Sequence, residues 1–141
     1  MMCAPTCSMS PALQFGSSVL VIDDDPFSQR LFSNLLTSIL GTPLIHVAGT
    51  YREGLKALVS ELPPDLLIVD LFLDGTHRGS DLLLEAMKVI TLPCTLIVSA
   101  ISQREFARDF PPYLAQIPFL PKPLSLSILE AQLNQLRFNP L

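Results

Sequence analysis

Residues 19–30 read Val-Leu-Val-Ile-Asp-Asp-Asp-Pro-Phe-Ser-Gln-Arg. Four apolar residues without polar alternation stop abruptly at acids and a proline. Such a run predicts a strand buried on both faces, as in a parallel sheet covered by helices. Asp25-Pro26 then offers a helix start, a capping side chain followed by proline at the first helical position. Phe27, Leu31, Leu35 and Ile39, joined by Phe32, Leu36 and Leu40, continue as an apolar stripe at helical spacing. Three further runs end in the same way: Leu66–Val69 at Asp70, Leu96–Val98 at Ser99, and Phe119–Pro121 at Lys122. Ligands of open α/β sheets bind beyond the carboxyl ends of the strands. Three carboxylates, a hydroxyl and an ammonium are therefore expected on one sheet edge.

The rest of the chain alternates in the same rhythm. Gly41 ends the first helix, and Leu44–Ala48 is a second strand. Thr50–Glu53 is a capping box for a helix carrying Leu55, Leu58, Val59 and Leu62, closed by Pro63-Pro64. A loop through Asp74-Gly75 to Gly79 follows Asp70, and Ser80 opens a helix with Leu83, Leu84, Met87 and Ile90. Ser102–Glu105 starts a short helix that ends before Pro111-Pro112, and Ile117–Leu120 is the last strand. Ser127–Glu130 reads as a third box, with Leu129, Leu133 and Leu136 facing inward. Five β-α units in strict alternation predict an α/β fold with a five-stranded parallel sheet and right-handed crossovers. Residues 1–16 read as a flexible tail and 17–141 as the single domain.

Composition narrows the function. The chain has 141 residues and a net charge of −4, without a basic cluster, which argues against direct nucleic-acid binding. Mean hydropathy is +0.45, yet the stretch from Arg30 to Arg52 breaks at Gly41-Thr42-Pro43, so no membrane span is expected. The first residues lack the pattern of a secretory signal. Three cysteines, an odd number, suggest free thiols and a reducing compartment. Cys94 reads as a buried thiol, and Cys3 and Cys7 make a poor metal site.

VLVIDDDPFSQR, PDLLIVDLFLDG, LIVSA and FLPKP, in this order and spacing, resemble the receiver domain of two-component response regulators over roughly residues 17–138. The resemblance implies the flavodoxin-like strand order 2-1-3-4-5 with helices on both faces. It implies that Asp70 accepts a phosphoryl group from a phosphohistidine, with Asp23, Asp24, Asp70 and the Phe72 backbone carbonyl holding Mg²⁺ (or Mn²⁺). Lys122 and Ser99 would contact the phosphoryl group, and Ser99 with Phe119 would form the switch. It further implies a cis Lys122–Pro123 peptide, a cytoplasmic location, and a histidine kinase or phosphotransfer protein as donor. The face of the fourth helix, last strand and last helix would bind an output domain, a target protein or a second copy. Such a domain is not an enzyme beyond weak catalysis of its own phosphorylation and dephosphorylation. Two features depart from the family: Asp74 stands where proline is usual, and the loop to Gly79 is one residue longer.

Plainer readings exist for each residue. Asp25 is the helix cap, Asp23 and Asp24 alone would be solvated loop acids, and Phe119 alone would be core. His46 reads as a packed or edge histidine and His77 as a loop residue; neither suits a phosphohistidine. One competing function is a haloacid-dehalogenase-like phosphohydrolase, using Asp23-Asp24-Asp25 as an Asp-x-Asp motif with Ser99 and Lys122. That reading leaves Asp70 idle and lacks an acidic pair after the lysine. The other is a receiver-shaped interaction domain that is never phosphorylated.

Overall fold

A computed structural model describes residues 17–60, 62–73 and 78–138. The expectations for Cys3, Cys7, Asp74, Gly75, His77 and the 1–16 tail lie outside these residues. Strands β1 (Ser18–Ile22), β2 (Leu44–Ala48), β3 (Leu66–Asp70), β4 (Cys94–Ser99) and β5 (Phe119–Pro121) form one parallel sheet ordered β2-β1-β3-β4-β5. Helices α1 (Pro26–Leu40), α2 (Tyr51–Leu58), α3 (Gly79–Met87), α4 (Gln103–Asp109) and α5 (Leu126–Phe138) connect the strands or follow the last, with a 3₁₀ turn at Pro112–Gln116. This is the flavodoxin-like order that the resemblance implied.

Two cores flank the sheet. On one face Leu20, Ile22, Leu67, Val69 and Ile97 meet α2, α3 and α4. On the other, Val19, Val21, Ile68, Leu96 and Val98 meet Phe32 and Leu36 of α1 and Leu129, Leu133 and Leu136 of α5. The central strands β3 and β4 are buried at every residue, as unbroken apolar runs require. The strands β2 and β5 are edges; β5 buries only Phe119. His46 is the exposed edge histidine of β2.

Several local readings need correction. On α1, Phe32 and Leu36 are buried and Leu35, Ile39 and Leu40 pack against the core as expected, but Ser28 joins the buried face and Phe27 is 65% exposed. Helix α2 stops at Leu58, where Ser60 Oγ donates to the Ala57 carbonyl at 2.9 Å, and Leu62 is left exposed. Helix α3 begins at Gly79 and turns Leu82, Leu83 and Ala86 inward, leaving Leu84 and Met87 substantially exposed. Strand β5 starts at Phe119 rather than Ile117. The cap of α5 is Ser125, whose Oγ accepts from the Ile128 N–H at 3.3 Å, two residues before the box read from sequence. Cys94 is buried but disulfide-bonded, so the expectation of free thiols fails there. It opens β4, at the end of the sheet away from the acids. No helix among the described residues is long and apolar enough to cross a membrane.

Other features agree. Asp25 caps α1 by accepting from Phe27 N–H and Ser28 N–H, and the Lys122–Pro123 bond is cis. Gly41 ends α1 at φ 91°, a backbone region that suits glycine. Thr50 and Ser102 both cap as read, accepting from the Glu53 and Glu105 N–H groups. The Glu53 carboxylate, however, reaches back to Gly49 N–H at 3.2 Å.

Candidate functional site

The acids hang from strand ends and are fixed by short-range bonds. Asp23 extends β1 by donating its N–H to the Ala48 carbonyl at 3.1 Å, and Gln29 Nε2 holds its own carbonyl at 2.6 Å. Its side chain folds back, Oδ1 accepting from Asp25 N–H at 3.0 Å. Asp25 itself is occupied: Ser28 Oγ donates to it at 3.0 Å, and that bond, followed by backbone N–H donors, holds its carboxyl below the usual range. Asp24 remains exposed.

Asp70 ends β3 and accepts from Phe72 N–H through Oδ1 at 3.1 Å and from Lys122 Nζ through Oδ2 at 3.0 Å. Lys122 crosses 99 residues of sequence to donate to Asp23 Oδ2 at 2.8 Å, and it also donates to Ser28 Oγ at 3.2 Å. Its backbone N–H donates to the Ser99 carbonyl at 2.7 Å, fastening the end of β5 to that of β4. Burial pushes the Asp70 carboxyl above its ordinary value, with Asp23 adding repulsion; Phe72 N–H and Lys122 offset only part of this. Burial presses Lys122 downward, but its bonds to Asp23 and the attraction of Asp70 prevail and its shift is upward.

Charge counting decides what the cluster needs. Asp23, Asp24 and Asp70 each offer an oxygen, all within 4.8 Å of one another. Carboxylates that close repel by roughly 3–4 kcal/mol per pair at an effective dielectric near 20. Lys122 cancels one of three negative charges, so two remain. A hard divalent cation matches both that charge and an all-oxygen donor set.

Ser99 supplies an independent sign. Its side chain is fully buried, and its Oγ has no hydrogen-bond partner among the described residues. An orphaned hydroxyl at a strand end calls for a reason, and an incoming oxygen-rich group would supply one. Ser99→Ala is expected to raise the stability of the ligand-free chain by about 1 kcal/mol, because an unsatisfied polar atom is removed. A chemical denaturation series measures this; a loss of stability would show that the hydroxyl is bonded in solution.

Phe119 is buried, stacked on Phe106 of α4 with centroids 4.6 Å apart and planes 7° from parallel. The aromatic that the resemblance assigns to the switch is thus already turned inward. The structure brings Asp23, Asp24, Asp70 and Lys122 together, sets Ser99 beside Lys122 through the backbone, and keeps Phe119 one layer below. Sequence reading missed Ser28, the third partner of Lys122. Its signal was present: Ser28, Phe32 and Leu36 recur every four residues, so the serine lies on the buried face. It also missed Gly79, whose α-carbon packs against the Asp70 backbone; an ideal Cβ there would overlap the Asp70 carbonyl oxygen.

Known proteins share this architecture. The receiver domain of PhyR from Erythrobacter litoralis, solved in solution, superposes with a TM-score of 0.72 over 91% of this chain and 94% of that domain, at 22% identity. The chain has a receiver-domain fold. Its sequence relatives agree: the probable C4-dicarboxylate response regulator DctR of Bacillus subtilis is 31% identical over 62% of the chain. A protein-glutamate methylesterase/protein-glutamine glutaminase of Myxococcus xanthus is 34% identical over 60% of it. The receiver-like chain spans only 38% and 24% of the length of these two proteins. No family model matches it.

Proposed function

We propose that the chain is a phosphoryl-accepting receiver in two-component signalling, with Asp70 as the acceptor. The observation that carries this reading is one sheet edge with three carboxylates, a lysine bonded to two of them, and a buried hydroxyl without a partner. An Asp70 carboxylate oxygen attacks the phosphorus of a partner's phosphohistidine. The new O–P bond forms as the P–N bond breaks, and the imidazole leaves and recovers its proton from solvent. Phosphoryl transfer of this kind rests on positioning and charge neutralisation. Asp23, Asp24, Asp70 and the Phe72 carbonyl would hold Mg²⁺ or Mn²⁺, which when bound neutralises phosphoryl oxygens. Lys122, withdrawn from Asp70, pairs with the phosphoryl group instead, and Ser99 Oγ gains the acceptor it lacks.

Filling the Ser99 position draws on the end of β4, which pairs with β5, and the Phe106–Phe119 stack links β5 to α4. The face formed by α4, β5 and α5 then changes for an output domain, a target protein or a second copy. We assign the receiver to residues 17–141, with 1–16 as a tail. A phosphohydrolase using Asp23-Asp24-Asp25 fits less well, because Asp25 is committed to capping α1.

Acetyl phosphate with Mg²⁺ is expected to add the mass of one phosphoryl group to the intact protein, and excess chelator to abolish the addition. Intact-mass spectrometry reads both. No addition in Mg²⁺, with beryllofluoride leaving the amide spectrum unchanged, would overturn this reading in favour of an unphosphorylated interaction domain.

A further inference from the structure

Phe72, two residues after Asp70, and Arg78, next to the start of α3, pair as an isolated antiparallel bridge. Phe72 carries the N–H that holds Asp70 Oδ1. Arg78 leads into α3, its N–H donating to Asp81 Oδ2 at 3.2 Å. The Arg78 side chain does something else. Its guanidinium carbon lies 5.6 Å from the Phe72 ring centroid and 5.7 Å from that of Phe110. The two rings meet edge to face, 6.3 Å apart at 69°.

Guanidinium groups are attracted to aromatic faces, and their planarity lets them stack where an ammonium cannot. Among the described residues Arg78 makes no ion pair within 4.0 Å, so the two rings are its near contacts, and the Asp109 carboxylate feels its charge from farther off. Those rings come from different elements. Phe72 follows the acceptor, while Phe110 closes α4 and stacks on Phe106 at 5.7 Å. Phe106 in turn covers Phe119. One cation thus pins the acceptor loop to the end of α4.

We infer that Arg78, clamped between Phe72 and Phe110, is a positioning residue that fixes the Phe72 backbone and through it the Asp70 carboxylate. The clamp stands on geometry alone; its consequence for phosphoryl uptake rests on the function proposed above. Arg78 touches neither carboxylate nor phosphoryl group. It acts by holding the peptide that orients both the Asp70 oxygen and the Phe72 carbonyl.

Amide hydrogen exchange by NMR on the whole chain tests this, with Arg78→Met, Phe110→Leu, the double variant and Arg78→Lys. Exchange at Phe72, relative to Ile68 in β3, is expected to quicken roughly threefold to tenfold in each of the first two. The double variant is expected to match the singles, because both remove one clamp, and Arg78→Lys to fall between wild type and Arg78→Met. The initial rate of acetyl-phosphate uptake should fall in the same order. Unchanged exchange at Phe72, or an equal rise at Ile68, would overturn the clamp. If wild type takes up no phosphoryl group, the proposed function fails, and the Phe72 exchange ratio still decides the clamp.

Discussion

Asp70→Asn is expected to take up no phosphoryl group from acetyl phosphate in Mg²⁺ and, without metal, to unfold at a higher temperature than wild type. The first outcome follows from chemistry: an amide is not a nucleophile toward phosphorus, and the site holds no second buried carboxylate free of a structural task. Asp23 is tied to Asp25 N–H and Lys122. The second follows from burial. The folded-state pKa of Asp70 is raised above 3.8, mainly by desolvation. For a raised group the stabilising contribution is complete below the unfolded value and lost as pH rises through the folded one. Ionised Asp70 is therefore a cost at neutral pH. Asparagine keeps one carbonyl for Phe72 N–H, and Lys122 retains Asp23, so little is forfeited. The expected gain is about 1 kcal/mol, roughly 2–6 °C for a domain of this size. It should be smallest at and below pH 3.8, grow as pH rises through the folded value and then level off, and Mg²⁺ should reverse it by stabilising wild type more than the variant. Thermal melts from acid to neutral pH, with and without Mg²⁺, measure all of this. An Asn variant that melts lower at neutral pH, or that is phosphorylated as wild type is, would contradict the assignment.

The site was legible because its parts are terminal residues of apolar runs, and parallel topology carries all such termini to one edge. Asp23, Asp70, Ser99 and Lys122 could be listed without coordinates for that reason alone. Ser28 was hidden because a small polar residue on an apolar stripe reads as a gap. Phe72 and Arg78 were hidden for a different cause. Their contact depends on where the loop returns, which no periodicity encodes. The orphaned state of the Ser99 hydroxyl is likewise a property of packing, visible only once every neighbour is placed.

The fold shows the same division. The capping box at Ser102 forms as read, and Thr50 caps α2 although Glu53 reaches Gly49 N–H instead of closing the box, yet Ser127–Glu130 was not a cap although it fits the same pattern. Ser125 begins α5 instead, so the chain had already turned helical before the box. Helical spacing marked Leu62, Leu84 and Met87 as inward, but α2 stops before Leu62, and α3 turns Leu82, Leu83 and Ala86 inward so that Leu84 and Met87 face outward. Core membership depends on where a helix ends and on which face it turns inward, and the end of α2 is set by local competition from Ser60. Cys94 is the sharpest failure, because spacing along the chain carries no signal for its disulfide.

Gly79→Ala is expected to be the most disruptive alanine substitution among the described glycines. An ideal Cβ at Gly79 would overlap the Asp70 carbonyl oxygen and lie 3.0 Å from the Asp70 carbonyl carbon and from Val69 Cγ2. Two of these neighbours are backbone, so no side-chain rotation relieves the clash. The Gly79 N–H also donates to the Leu71 carbonyl at 2.7 Å, which ties the helix start to the strand end. Relief therefore means lifting the first turn of α3 away from β3, at a cost of about 3 kcal/mol or more. A fall in melting temperature of roughly 10 °C is expected. Because the atom displaced belongs to Asp70, the carboxylate is expected to shift relative to Asp23 and Lys122, and under the proposed function phosphoryl uptake should slow even where the variant remains folded. Gly49→Ala is the control, since its Cβ would meet only the tips of the Gln29 and Glu53 side chains, at 3.3 and 4.0 Å. Melting both variants and timing their acetyl-phosphate uptake at a temperature where each is folded separates strain from chemistry. If Gly79→Ala melts and reacts like Gly49→Ala, the helix does not approach Asp70 as closely as the fold requires.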